Sequence, residues 1–89
     1  MVDNEKAHRF EARTPDGELA GFLNYLPRPD HLVLVHTEVK PEYDGQGVGG
    51  SLVRHVLDEV RARGLTMVPQ CPFVASYLRR HPDYADLVH

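Results

Sequence analysis

The sequence predicts an α+β fold of α/β three-layer-like character: an antiparallel three-stranded meander, a glycine loop opening a long helix, a parallel fourth strand and a short C-terminal helix. Two observations lead to this prediction. Strand-like apolar runs separated by turn signals fill the first half of the chain, and a glycine-dense turn then precedes a helical pattern. A strand that follows such a helix typically lies parallel to the strand before it.

The composition is that of an ordinary globular domain that binds neither nucleic acid nor membrane. The 89 residues are 42% hydrophobic and 26% charged, and a chain of this length forms one domain, residues 1–89. The formal net charge of -3 argues against a nucleic-acid partner, because phosphodiester binding requires a basic patch. No run approaches the ~20 apolar residues of a membrane span, and no secretory leader is visible. The single Cys71 fits a reducing cytoplasm, and we expect a monomer or weak homodimer.

The meander is expected from residues 6–13, residues 19–26 and His31–Val39, after a polar, disordered segment at residues 1–5. A Pro-Asp-Gly turn at residues 15–17 joins the first two runs as a hairpin. The third run is the strongest strand, because it is rich in β-branched residues and apolar on both faces at its centre.

The helix after the glycine turn is predicted over residues 48–63, with Gly64 as its C-terminal stop. Residues 65–68 then form a short buried strand, and a second helix over residues 73–80 ends at His81 and the proline after it. One face of the first helix is apolar at three- and four-residue spacing and comprises Val48, Leu52, Val53, Val56, Leu57 and Val60.

The glycine turn itself indicates anion binding. Four glycines lie within the six residues from Gly45 to Gly50, so several backbone N–H groups can face one concavity at the positive end of a helix. A side chain at Gly47 or Gly49 would then occupy the space of the anion while the fold survives. A tightly turned connector is the alternative.

Two better-known phosphate loops do not fit this turn. It matches G-x-G-x-x-G, but the dinucleotide fingerprint requires an acidic residue about 20 residues further on, and residues 65–72 contain none. The nucleoside-triphosphate loop requires Gly-Lys followed by Ser or Thr, which is absent as well.

The chain resembles the GCN5-related N-acetyltransferases, and in particular their small single-domain, YjdJ-type branch. The likeness covers about residues 10–88 and lies in Val-His-Thr-Glu-Val at residues 35–39, in Gly-Gln-Gly-Val-Gly at residues 45–49, and in Cys-Pro-Phe-Val and His-Pro-Asp-Tyr at residues 71–74 and 81–84. The family's loop usually begins with Gln or Arg, where this chain has Asp44.

The resemblance implies an acetyl-CoA-dependent N-acetyltransferase. The coenzyme A pyrophosphate would rest on the loop amides, and the pantetheine arm would pair with the backbone where the strands splay. Arg79 and Arg80 either reach the adenosine phosphate or form a solvated face. The cofactor-binding residues expected on this basis are Glu38, Val39, Asp44, Gly45, Gln46, Gly47, Val48, Gly49, Gly50, Ser51, Tyr77 and Arg80.

The resemblance also implies catalytic roles. Glu38 and His36 share one strand face, so either is a candidate base; a solvated carboxylate and a packed histidine are the structural alternatives. Tyr77 matches the tyrosine that protonates the coenzyme A thiolate, or is a core residue. Cys71 is an acyl-carrying nucleophile or a structural thiol.

No metal site is expected, because the remaining histidines show no ligand spacing with the cysteine or the acids. The acceptor is a small-molecule or peptide amine. Because only a short turn separates the first two strands, the acceptor side is open, and Asn24 and Tyr25 are candidates to line it. A non-catalytic CoA-binding module remains the alternative to an enzyme.

Overall fold

The computed structural model describes all of residues 1–89, and its centre is one five-stranded sheet. The strands run in chain order across the sheet, from β1 to β5. Neighbouring strands are antiparallel except β4 and β5, which are parallel and joined by α1. The strands are β1 (Val2–Asn4), β2 (Arg9–Arg13), β3 (Leu19–Pro27), β4 (His31–Val39) and β5 (Thr66–Pro69); the helices are α1 (Val48–Ala62) and α2 (Pro72–Arg80). Short 3₁₀-helices occupy Glu5–Ala7, Pro41–Tyr43 and Pro82–Leu87.

The predicted α+β class, the meander and the parallel crossover are confirmed, but the sheet is covered on one face only. Residues of both helices belong to the same buried cluster as one face of β2, β3 and β4. The structure therefore has two layers instead of three. Neither helix combines the length and the apolar character needed to traverse a bilayer.

The N-terminal segment is ordered, which corrects the expected disorder of residues 1–5. Val2–Asn4 pairs with β2 as an edge strand. The Asp3 carboxylate accepts hydrogen bonds from the Tyr25 hydroxyl at 2.7 Å and from Arg63 at 3.0 Å. The polar composition that suggested disorder reflects these side-chain contacts, which connect residues far apart in the chain.

Helix α1 provides the centre of the core. Its apolar stripe is buried except for the half-buried Val48. Gly64, at a φ of +69°, ends the helix as predicted and donates its N–H to the Arg61 carbonyl at 3.1 Å. The fully buried residues of α1 are Leu52, Val53, Val56, Leu57 and Val60.

The opposite face of the sheet carries a buried carboxylate. Glu11 is only 2% exposed, although no helix covers it. Its oxygens accept hydrogen bonds from Asn4 at 3.1 Å, from Arg9 at 2.6 Å and from Arg13 at 2.9 and 3.0 Å. These side chains lie over the carboxylate and take the place of a covering helix. We refer to this side of the sheet as the open face.

Candidate functional site

The glycine turn enters α1 through two residues in the left-handed region. Gly45 has a φ of +78° and Gly47 a φ of +75°, and Gly47 is the N-cap of α1. A Cβ at either position would meet no atom within 4 Å, so the requirement for glycine is conformational and the space around it is open.

The first turn of α1 presents a row of free donors. The amide N–H groups of Gly47, Val48, Gly49 and Gly50 donate to no acceptor of the chain, and no side chain caps the helix. The first intrahelical bond is from the Ser51 amide to the Gly47 carbonyl, at 3.0 Å. Four N–H groups at the positive end of a 15-residue helix form an anion-binding arrangement.

This geometry reduces the set of loop residues whose backbone amides can bind a ligand. The amide of Gln46 donates to Tyr43 at 3.4 Å, and the amide of Ser51 is used within α1. Neither amide is free for a ligand. The exposed Asp44 donates its amide to Pro41 at 3.2 Å and makes no ion pair, so its carboxylate adds negative charge beside the free donors.

Gly49 and Gly50 bring α2 against the start of α1. A Cβ on Gly49 would lie 2.8 Å from the ring of Phe73, and one on Gly50 would lie 4.0 Å from the ring of Tyr77. The expectation that a side chain at Gly49 affects only the anion is therefore wrong, because Gly49 is a packing residue. Phe73, which the sequence analysis did not single out, is 41% exposed at this contact.

Strands β4 and β5 diverge next to the free amides. Their pairing ends at Leu34 and Pro69, and the Cys71 amide then donates to the Leu34 carbonyl at 2.8 Å. Beyond this point β4 continues to Val39 paired only with β3. One extra residue, Val35, forms a bulge where the register shifts. The predicted splay is thus present, with an unpaired strand edge.

The backbone groups that face this gap belong to Thr37 and Val39. Lys40 donates its amide to Ala20 of β3, and the Glu38 carbonyl lies 2.7 Å from a Cβ position on Gly21 of β3. Since backbone groups alternate sides along a strand, those of Thr37 and Val39 point away from β3. Of the two predicted positions, the backbone of Val39 faces the gap and that of Glu38 does not.

The side chains of His36 and Glu38 lie together on the open face. The His36 Nε2 is 3.5 Å from a Glu38 carboxylate oxygen, and both side chains are more than half exposed. The period-two pairing predicted from the sequence is confirmed. Phe22 lies beside them, with its ring centroid 6.4 Å from that of His36.

Tyr77 lies on the helix side of the sheet, near the free amides. Its ring is 6% exposed and stacks on His81, with centroids 3.9 Å apart and planes 16° apart. The Tyr77 hydroxyl is not a buried unsatisfied group, so its oxygen keeps access to the surface. His81 Nδ1 donates to the Tyr77 carbonyl at 2.9 Å, which fixes the proton on that nitrogen. The four-residue separation of Tyr77 and His81 in the sequence did not predict the stack, because stacking depends on how the two rings are oriented.

Cys71 is 3% exposed and is the N-cap of α2. Its thiol donates to the Thr37 hydroxyl at 3.5 Å. No imidazole or carboxylate lies within hydrogen-bond distance of its Sγ, so the structure places no general base beside it. This environment is that of a buried small side chain at the closed end of the gap.

The two residues predicted to line the acceptor side lie on different faces. Asn24 pairs with His36 and lies on the open face. Tyr25 is 5% exposed and packs in the core, where burial and its hydrogen bond to Asp3 raise the pKa of its hydroxyl. The bulge at Val35 does not alter the alternation along β3, so only Asn24 remains a candidate for acceptor binding.

Three potential metal ligands lie close together at the N-terminal end of β4. Their spacing in the sequence did not predict this cluster. Donor atoms of Asp30, His31 and His89 lie within 4.8 Å of one another. His31 contacts Asp30 at 2.7 Å, and His89 contacts Thr66 at 2.8 Å. The imidazole rings stack 3.9 Å apart, so their in-plane lone pairs run side by side instead of converging on one point.

A surface cavity of about 320 Å³ adjoins the exposed side of α1, and none of the four residues with free amides lines it. Its walls are polar apart from one side chain. They comprise Met1, Ser51, Arg54, His55 and Asp58.

A helix N-terminus with free amides beside an unpaired strand edge is an arrangement suited to an anionic ligand with an extended arm. Residues 9–87 match the family model described as GCN5-related N-acetyl-transferase. The match covers most of the chain, which therefore belongs to the GCN5-related N-acetyltransferase family.

Relatives and solved structures agree with this assignment. The chain is 36% identical over 64 residues to streptothricin acetyltransferase of Streptomyces lavendulae, covering 70% of this chain and 34% of that protein. It is 35% identical over 52 residues to the ribosomal protein bS18-alanine N-acetyltransferase of Escherichia coli, covering 58% of this chain and 35% of that one. It thus spans about a third of the length of these relatives.

Two solved structures share the fold. A GCN5-like protein of Staphylococcus aureus superposes with a TM-score of 0.70 at 24% identity, covering 92% of this chain and 81% of that one, which shows likeness of fold alone. The ribosomal-protein-S18-alanine N-acetyltransferase of Escherichia coli gives a TM-score of 0.58 at 29% identity, covering 67% and 40%.

Proposed function

We propose that the chain is an acetyl-CoA-dependent N-acetyltransferase that moves an acetyl group directly to an amine of a small molecule or peptide. The observation that carries this proposal is the row of four free amides, Gly47 to Gly50, beside the unpaired edge of β4. The amides fit a pyrophosphate, and the strand edge fits an extended amide-containing arm that pairs like a strand. The proposal includes a cytoplasmic monomer or weak homodimer.

Acetyl-CoA supplies an activated thioester, and the residues of this chain supply orientation and proton transfer. The N–H of Thr37 or Val39 donates to the thioester carbonyl as negative charge develops on its oxygen. Glu38 or His36, on the open face, accepts a proton from the acceptor ammonium, and the neutral amine so formed attacks the thioester carbon. Tyr77 donates its hydroxyl proton to the sulfur as the carbon–sulfur bond breaks, from the side of the sheet that carries α1.

The open face favours one alternative, a CoA-binding module without an acceptor. The turn at Thr14–Glu18, closed by the Thr14 amide donating to the Glu18 carbonyl at 2.9 Å, is all that connects β2 and β3. The chain therefore has no helix over Glu38 and His36 to hold an amine. Measuring thiol release from acetyl-CoA with a panel of amines separates the two proposals, since a module binds and releases no thiol.

Two variants test the direct-transfer route. Glu38→Gln is expected to lower amine-dependent thiol release at least about tenfold while acetyl-CoA affinity is kept. Cys71→Ala is expected to retain activity, because the buried thiol has no adjacent base. An acetylated intermediate on the wild-type chain that disappears in Cys71→Ala would contradict direct transfer and support the Cys71 acyl-enzyme alternative.

A further inference from the structure

The open face carries opposite charges on β2 and on β4. On β2, two guanidinium groups, those of Arg9 and Arg13, bind the single carboxylate of Glu11, so this group of side chains has a net positive charge. On β4, the exposed Glu38 supplies a carboxylate, with His36 at 3.5 Å. A molecule that lies across this face therefore meets a positive end on β2 and a negative end on β4.

Side chains of β3 connect the positive end to the negative end. Asn24 pairs with Arg9 on one side and with His36 on the other, and Phe22 pairs with Glu38. The centroid of the Phe22 ring lies 4.8 Å from the Arg9 Cζ and 6.4 Å from the centroid of the His36 ring. The ring thus lies between β2 and β4, and the Arg9 guanidinium extends over β3 toward the candidate base.

The two arginines of the positive end differ in how many of their nitrogens the chain uses. Arg13 donates from Nε and Nη2 to Glu11, and from Nη1 to the Gly17 carbonyl at 2.8 Å. Arg9 donates from Nε to Glu11 at 2.6 Å, and its Nη1 and Nη2 donate to no acceptor of the chain. The Arg9 side chain is 27% exposed, so a ligand can reach these two nitrogens. Two free Nη groups suit bidentate binding of a carboxylate.

The distance between the two ends limits the size of a molecule that contacts both. Neighbouring strands are about 4.8 Å apart, so the Arg9 guanidinium above β3 lies one to two strand spacings, roughly 5–10 Å, from the Glu38 side chain. A hydrogen bond of about 2.8 Å at each end takes up part of this distance. The rest suits an amine and a carboxylate that are separated by a short carbon chain.

We propose that Arg9 binds the carboxylate of a small amino-acid acceptor whose amine lies at Glu38, with the side-chain amide of Asn24 as a further donor to that carboxylate. This inference rests on the proposed function and names its substrate class, a zwitterion in place of a simple alkylamine or a protein amine. Its ammonium group is attracted by the negative end and its carboxylate by the positive end. A diamine is disfavoured, because its second ammonium group would lie beside the Arg9 guanidinium.

Thiol release from acetyl-CoA with β-alanine and with γ-aminobutyrate, each compared with its own amide, tests this proposal. The two members of a pair differ only in the terminal group, so the ratio of their kcat/KM values measures the effect of the carboxylate. We expect a ratio of at least about tenfold in favour of the amino acid. In Arg9→Gln the ratio should fall toward unity.

Arg13→Gln is the matched control. It also removes a guanidinium partner of Glu11 and one positive charge from the same face, so it should destabilise the fold in a similar way. Because the chain already uses Nε, Nη1 and Nη2 of Arg13, this variant should keep the wild-type ratio.

Equal kcat/KM values for the amino acids and their amides in the wild-type chain would overturn the inference and leave the proposed function standing. A wild-type ratio in Arg9→Gln would also overturn it, because Arg9 would then not bind the carboxylate. A loss of preference in Arg13→Gln as large as in Arg9→Gln would reduce the effect to the general charge of the face and overturn the inference. Absence of thiol release with every amine would remove the proposed function as well.

Discussion

Gly47 and Gly17 form a natural pair for testing the anion site at the scale of single residues. Both have a positive φ, +75° and +86°, and a Cβ at either would meet no atom within 4 Å. Valine at either position therefore adds the same kind of backbone strain, about 1–2 kcal/mol. Only Gly47 belongs to the amide row.

We expect Gly47→Val to lose acetyl-CoA affinity by about tenfold or more, because its backbone can no longer keep the cradle shape. Gly17→Val should lose similar stability in urea and keep its affinity. If the two variants bind acetyl-CoA equally well, the amide row is not the anion site.

The buried carboxylate of Glu11 makes the stability of the folded state depend on pH. Burial raises the pKa of its carboxyl, but hydrogen bonds from Asn4, Arg9 and Arg13 outweigh that effect and hold the pKa below its ordinary value of 4.5. The folded state therefore gains stability above the ordinary pKa and loses it as the pH falls through the lowered one.

Glu11→Gln should cost about 1–3 kcal/mol near neutral pH, because two arginines lose their charged partner. Urea unfolding should show this difference shrinking as the pH falls through the lowered pKa of Glu11, because the wild-type carboxylate then becomes protonated as well. Glu5→Gln is the control at an exposed, unpaired carboxylate and should change little. A cost from Glu11→Gln that stays constant with pH would contradict this account of the network.

Among the helices and strands, the sequence predicted those elements whose bounds depend on the local pattern of residues. The period of the apolar residues and Gly64 placed α1 to within one residue, and β-branched residues placed β4. β1 was missed because two of its three residues are polar and its order comes from distant partners, Tyr25 and Arg63. The open face of the sheet could not be predicted either, because the apolar pattern of a helix does not indicate which side of a sheet that helix covers.

The contact between α1 and α2 depends on the absence of a side chain at Gly49. Gly49→Ala places a Cβ 2.8 Å from the Phe73 ring and should cost about 1–3 kcal/mol. Gly50→Ala, with ordinary contact at 4.0 Å, should be neutral or stabilising by about 0.5–1 kcal/mol, as alanine is in a helix.

Combining Gly49→Ala with Phe73→Leu should recover most of the loss, and a double-mutant cycle measures the coupling. Additive effects of the two substitutions would show that the ring and the glycine do not meet.

For the whole molecule, the free amides at the start of α1 could be predicted because they are a local feature, a glycine turn entering a helix. The catalytic side could be predicted only in part. The period of β4 pairs His36 with Glu38, but the bulge at Val35 depends on pairing with a distant strand, and the stack of His81 on Tyr77 depends on how the chain turns after α2. The proposed function uses both sides of this sheet, with anion binding on the helix side and amine access on the open face.

The most direct test of the central claim is titration of the isotopically labelled chain with acetyl-CoA, followed by amide-resolved NMR. We expect the largest shifts at the amides of Gly47, Val48, Gly49 and Gly50, with smaller shifts along β4 at Thr37 and Val39, because these N–H groups gain acceptors. No shift at millimolar acetyl-CoA, or shifts confined to the surface cavity around His55 and Asp58, would contradict it.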